Sequence, residues 1–317
     1  MTNLKGVLLA LCAFGVFALH DVIVKLLGGI YSPVQIIFFS VLLSFPLVTL
    51  MLIQDATSGH LRPVHPWWVA LRMLAGVMTG VSVFYAFSVL PLAQTYSVLF
   101  ATPLLITVFS IPILGERVGV HRWVAVIVGL VGVIVVLRPG TAPLGLGHLA
   151  ALTGATGSAL ASIIIRKIGK EERSVVLLLY PMVANFAVMG FVLPFVYQPM
   201  PIEDFGRVGL IALFGFAAGL LLINAYKNAE AAIVAPMQYS QIIWATLFGY
   251  WVFGERVDPM TMLGAAIVIA SGLYIVFRES RVSVSQNTPV LRTRTRFELG
   301  APFRIGFFIR RWRNRKK

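Results

Sequence analysis

Charge is what this sequence has least of. Only 12% of its 317 residues are Asp, Glu, Lys or Arg, about half the share of a soluble domain. An ordinary soluble fold is excluded, because 58% of the residues are hydrophobic and the mean hydropathy is +0.88. Short alternating apolar segments are also missing, which argues against a membrane β-barrel. There is one cysteine, Cys12, so no internal disulfide can form, and it has no Cys or His neighbour at metal-ligand spacing. His20 and Asp21 lack a further His or carboxylate close by, so no metal is expected. No phosphate-binding loop is present, so the chain should not hydrolyse ATP. No nucleophile with a base partner stands out, and the chain reads as a non-enzyme without a cofactor.

The net charge of +14 is mostly a property of the tail. Residues 279–317 carry 11 Lys/Arg against 2 Glu, leaving 15 basic and 10 acidic residues for the rest. Nothing in the tail resembles a nucleic-acid-binding fold. Its arginines alternate with Phe303, Phe307, Phe308 and Trp312, a mix that suits the anionic inner leaflet as well as an unfolded tail.

What the sequence has is apolar runs of about 20 residues, the length of a membrane-spanning helix. Ten are expected, near 4–27, 32–53, 67–90, 92–114, 120–138, 147–167, 173–195, 206–226, 232–253 and 258–278. With the N-terminus inside, ten Lys/Arg in the connections face the cytoplasm and four face out, before the residues from Arg278 onward add twelve more. The positive-inside rule then places both termini in the cytoplasm of a bacterial inner-membrane protein.

The chain also repeats itself. GERV occurs at Gly115–Val118 and again at Gly254–Val257, each between two apolar runs. Gly6–Lys25 aligns without gaps to Gly147–Arg166. Residues 5–139 and 145–279 are therefore expected to be two five-helix repeats, followed by a cytoplasmic tail over 280–317. Five spans per repeat force opposite orientations, an arrangement that in transporters gives two conformations around a central site. The predicted fold class is all-α, with ten transmembrane helices in two inverted halves.

The basic residue closing the first helix of each half (Lys25, Arg166), the entry AFSVLPLAQT, and LGERV leading to a Gly-rich helix ending VVLRPG resemble the EamA-type members of the drug/metabolite transporter superfamily. The resemblance spans about residues 5–280. It implies ten helices and transport of a small organic solute, without fixing which one. Amino acids, S-adenosylmethionine, riboflavin and xenobiotics are all within its range. Where family members often carry Arg-Phe in the second helix, this chain has Phe38–Ser40. Pro103 in the fourth helix aligns with Ile242, and Pro236 lies six residues before that. The two helices are expected to bend at different depths.

Polar residues within the spans are the site candidates, since ionisable groups in hydrocarbon are costly. Asp21 and Lys25 are four apart, in the order that favours a helical ion pair. Lys25 has a basic counterpart in Arg166 and reads as a helix-end anchor. His20 and Asp21 pair instead with Ala161 and Ser162, and this asymmetry suits substrate or proton chemistry. Gln238, Gln241 and Trp244 share a face, beside Tyr239. Tyr85 aligns with Asn224, and Thr102 with Gln241. Tyr96 completes the cavity candidates, while Arg72 is expected at the cytoplasmic interface.

The reading is a secondary transporter working by alternating access, in either direction. Its expected partners are a small-molecule substrate, the lipid bilayer and coupling protons, with a homodimer left open and no nucleic acid. The rival, a non-transporting scaffold, predicts no water-accessible cavity between the halves.

Overall fold

The computed structural model describes residues 2–53, 61–115, 118–138, 144–169, 171–172, 174–228 and 234–281. Glu116, Arg117, Glu230 and the tail from 282 onward lie outside the described residues. The described residues form eleven α-helices and one 3-10 helix, with no strand among them. In chain order the helices are α1 (Thr2–Gly28), α2 (Pro33–Ile53), α3 (Pro66–Val89), α4 (Leu92–Leu99), α5 (Thr102–Leu114), α6 (Val120–Leu137), α7 (Leu146–Ile168), α8 (Ser174–Val196) and α9 (Ile202–Asn228). The 3-10 helix (Ala235–Ser240), α10 (Gln241–Phe253) and α11 (Pro259–Arg281) follow. Six stretches are long and apolar enough to cross a membrane, and three shorter apolar helices cover 33–49, 123–137 and 259–275. Helices satisfy every interior peptide group within the segment, which hydrocarbon demands.

The most extensive packings are α1 on α9, α3 on α7 and α6 on α11, followed by α2 on α8 and α5 on α7. Each joins a helix before residue 139 to one after residue 144. Between α6 and α11 the backbones almost touch: a Cβ on Gly264 would meet the Gly132 carbonyl oxygen at 2.6 Å. Gly115 and Gly254 end α5 and α10 in the left-handed region, with φ of 70° and 65°. A side chain there is strained, which gives the repeated GERV its glycine.

The bends expected at different depths instead end at equivalent residues. The run 92–114 breaks at Phe100–Ala101 and resumes as α5 at Thr102, with Pro103 in its first turn. The second copy is wound as a 3-10 helix up to Ser240 and resumes as α10 at Gln241. Thr102 and Gln241 are aligned residues. A proline needs no amide partner in a first helical turn, so Pro103 and Pro236 both fit at the start of a segment.

Cross-contacts gather at the bundle end where α1 and α3 finish and α4 begins. Lys25 Nζ lies 2.9 Å from Glu255 Oε1 and donates to the Leu90 carbonyl at 2.5 Å. The other carboxylate oxygen of Glu255 accepts the Leu92 N–H at 3.0 Å. Gln35 and Gln198 bond reciprocally, at 2.8 and 2.9 Å. Tyr31 donates to Asp204 at 2.7 Å, and this bond raises the pKa of the phenol. Arg138 pairs with Asp258. At the opposite end His65 meets Glu171 at 2.5 Å, and Lys167 donates to the Ile113 carbonyl at 2.6 Å.

Breaking a buried pair from one side strands a charge. Lys25→Met and Glu255→Gln should therefore each lower the melting temperature in detergent. The double variant should melt above the worse single variant; strictly additive losses would show that the pair is not coupled.

Candidate functional site

A cavity of about 330 Å³ lies between helices that come before residue 139 and helices that come after residue 144. Its wall takes residues from α1, α2, α3, α4, α5, α7, α8, α9, the 3-10 helix and the start of α10. Much of the lining is apolar, including Phe14, Phe17, Phe84 and Phe100. Polar groups interrupt it at a few points. Such a wall binds a ligand's apolar body and orients it by its polar atoms.

Of the residues singled out in the sequence, His20, Tyr96, Thr102, Gln238 and Gln241 line this cavity. His20 Nδ1 lies 2.8 Å from Asp21 Oδ1. The imidazole stands edge-on to Phe84 and packs against Gly215. Asp21 is 2% exposed and sits behind the wall, where its second carboxylate oxygen accepts the Tyr96 hydroxyl. The Tyr96 ring is held in turn by Phe87 and Phe100. Local helix geometry explains the arrangement. Asp21 projects from α1 toward the α4 segment, and Lys25, one turn on, reaches the end of α3 and Glu255. The two residues spaced for an i,i+4 pair thus turn to different partners.

The remaining candidates lie elsewhere. Tyr239 is buried next to the cavity, with its ring edge-on to Phe100 at 5.2 Å and its hydroxyl against Gly272. Trp244 stacks on Phe248 and covers Gly15 of α1. Tyr85 is half-buried outside the lining residues. Asn224 is exposed on α9 and donates to the Leu220 carbonyl of its own helix.

Other lining residues were not on that list. Arg72 is 9% exposed in the cavity wall, and one guanidinium nitrogen donates to the Leu177 carbonyl of α8. Ser44, Thr79 and Asn185 also line the cavity. Arg72, six residues into α3, is expected at the interface because arginine there can snorkel. The structure buries it because α3 runs between α7 and α8 at that point. A sequence signal for it existed. At the offset that aligns Tyr85 with Asn224, Arg72 aligns with Ile211, the same asymmetry that marks His20 and Asp21. Both Arg72 and Ile211 line the cavity, as do the aligned pairs His20 and Ala161, Gly76 and Gly215, and Thr102 and Gln241. Among the described residues, no three His, Cys, Asp or Glu side chains cluster as a metal site.

Comparison with known proteins returns one family. The model of the EamA-like transporter family matches the chain twice, over residues 4–138 and 145–277. An S-adenosylmethionine uptake transporter of Rickettsia prowazekii (strain Madrid E) is 26% identical, covering 90% of this chain and 97% of its own. A pseudopaline exporter, CntI, of Pseudomonas aeruginosa (strain UCBPP-PA14) is 23% identical over 84% of this chain and 94% of its own. A crystal structure 19% identical in sequence superposes with a TM-score of 0.59, covering 89% of this chain and 98% of its own. That likeness concerns the fold.

The cavity can be checked for water. In a Cys12→Ala background, Ser44→Cys should react with a charged maleimide, while Ile243→Cys, on the exposed face of α10, should not. Equal labelling at both positions would show that the cavity is dry or that the exposed face is not in lipid.

Proposed function

The chain belongs to the EamA-like transporter family and is a multi-pass membrane transporter of small metabolites, and on that premise we propose that it takes up S-adenosylmethionine or a close chemical relative. The observation that carries this reading is the cavity of about 330 Å³ walled by helices of both halves. The family relationship narrows the choice, since several of its relatives are S-adenosylmethionine uptake transporters. Phe14, Phe17, Phe84 and Phe100 offer apolar faces for a purine, and Gln238, Gln241 and Asn185 offer amides for its edge. The scaffold reading predicts no cavity between the halves and is disfavoured by this one.

In this reading, residues 5–139 and 145–279 are two inverted five-helix repeats, together making ten membrane helices. Supporting it, α1 packs on α9 as α7 packs on α3, and these are the same two positions exchanged between halves. The N-terminus and the tail over 280–317 lie in the cytoplasm of a bacterial inner membrane. The cavity then opens inward, since its lining runs along α2 to Val48 and starts on α3 at Arg72. Solute passes by alternating access. A homodimer is compatible with the exposed apolar faces of α6 and α11.

Coupling to protons is assigned to the His20–Asp21–Tyr96 cluster. Asp21 bonds to two residues of the cavity wall, His20 and Tyr96, so a proton held there is sensed by the lining. Among the described lining residues, Arg72 is the one permanently charged side chain. Proteoliposomes loaded with S-adenosylmethionine should show counterflow of the labelled compound. Asp21→Asn should retain counterflow but lose most accumulation driven by a pH gradient, by about 10-fold or more on the scale of a lost proton-transfer group. Unchanged gradient-driven uptake in both Asp21→Asn and His20→Ala would remove protons from the mechanism.

A further inference from the structure

The cavity wall carries one permanent charge among its described residues, that of Arg72. Among the described residues that line it, Arg72 supplies a guanidinium and His20 an imidazole, and none is Asp, Glu or Lys. The carboxylate of Asp21 is 2% exposed and covered by His20 and Tyr96. A solute entering this space therefore meets fixed positive charge before negative.

Arg72 is well held for such a role. Its bond to the Leu177 carbonyl fixes the guanidinium between α3 and α8. The next lining residues on its face of α3 are small, namely Gly76, Thr79 and Gly80, and the face ends at Val83 and Phe84. A charged group within a membrane helix is costly, and it persists where it has work to do. Guanidinium presents a planar fork of N–H donors that matches the two oxygens of a carboxylate. Lysine lacks this geometry.

The cavity also has length. Phe84 lies twelve residues beyond Arg72 on the same helix, about 18 Å at the α-helical rise. The His20 ring stands edge-on to Phe84, with ring centroids 6.1 Å apart. Arg72 and the His20–Tyr96 group thus mark opposite ends of an elongated, mainly apolar space.

We propose that Arg72 anchors the carboxylate of the transported solute. The cavity then selects elongated, carboxylate-bearing solutes. Their carboxylate lies at Arg72, and the rest of the molecule extends toward Tyr96, Phe100 and His20. The proposal rests on the transport reading in taking the cavity as the solute site, and it assigns the residue and the functional group that set selectivity.

The test uses matched pairs and the purified full-length chain in nanodiscs. Binding of S-adenosylmethionine is compared with its decarboxylated form, and of tryptophan with tryptophanamide, by calorimetry and by thermal shift. The wild type should bind at least one acid about 10- to 100-fold more tightly than its partner, the range expected for hydrogen bonds to a charged group. Arg72→Gln should erase that preference, and Arg72→Lys should restore part of it. The proposal is overturned if acid and partner bind alike, if no acid binds, or if Arg72→Gln keeps the preference. Should Arg72→Gln not fold, the wild-type pairs and Arg72→Lys decide. Absent S-adenosylmethionine flux, together with an Arg72-dependent preference for tryptophan, would sink the substrate named above and keep the anchor. Normal flux with no acid preference would do the reverse.

Discussion

The ion pair between Lys25 and Glu255 sets the terms on which the two parts of the chain meet. Lys25 closes α1, and Glu255 follows the left-handed glycine that ends α10. Between them they also hold the Leu90 carbonyl and the Leu92 amide, the groups left open where α3 gives way to α4. Side-chain exposure of 11% and 17% makes this a largely dry contact. Such a pair adds little to stability relative to apolar packing, but it penalises any arrangement that leaves one charge alone. The reciprocal Gln35–Gln198 bonds and the Tyr31–Asp204 bond join the two parts of the chain at the same end. The cavity is the space left by this closure.

Within that frame, the chemistry is uneven. Aligned positions face the cavity from both parts of the chain, and apart from Gly76 and Gly215 the pairs named above carry different side chains. Arg72 faces where Ile211 also faces, and His20 where Ala161 does. The frame is built from small residues and apolar contacts, which tolerate such differences, because close packing depends on shape more than on polarity. An asymmetric solute needs an asymmetric wall, and the polar groups found on one side only are those that would distinguish its two ends.

The all-helical architecture was legible because the hydrophobic runs have the length that a bilayer imposes. The glycine of GERV was legible for a similar reason: one backbone geometry is required twice, so one residue type appears twice. His20 and Tyr96 could be placed among cavity candidates because polarity in an apolar run is rare. The rest depended on which way each helix face turns. Tyr85 and Asn224 sit on suitable helices, but Asn224 faces outward. Trp244 shares a face with Gln241 by spacing, yet it is drawn to Gly15 of α1. Arg72 was obscured because an arginine near a helix end has two physically sound fates, and only the packing of α3 against α7 and α8 decides between them. The bends show the same limit: Pro103 lies where α5 resumes, but Pro236 opens the 3-10 segment and lies five residues before α10 begins.

The 3-10 winding of Ala235–Ser240 has a mechanical consequence. A 3-10 helix rises about 2.0 Å per residue and turns about 120°, against about 1.5 Å and 100° in an α-helix. Rewinding these six residues to α would shorten the segment by about 3 Å and rotate what precedes it by about 120° relative to α10. Gln238 and Tyr239 lie inside it, one in the cavity wall and one just behind. The segment is therefore a short screw set into the wall, able to exchange length for rotation without breaking the chain's path through the bilayer.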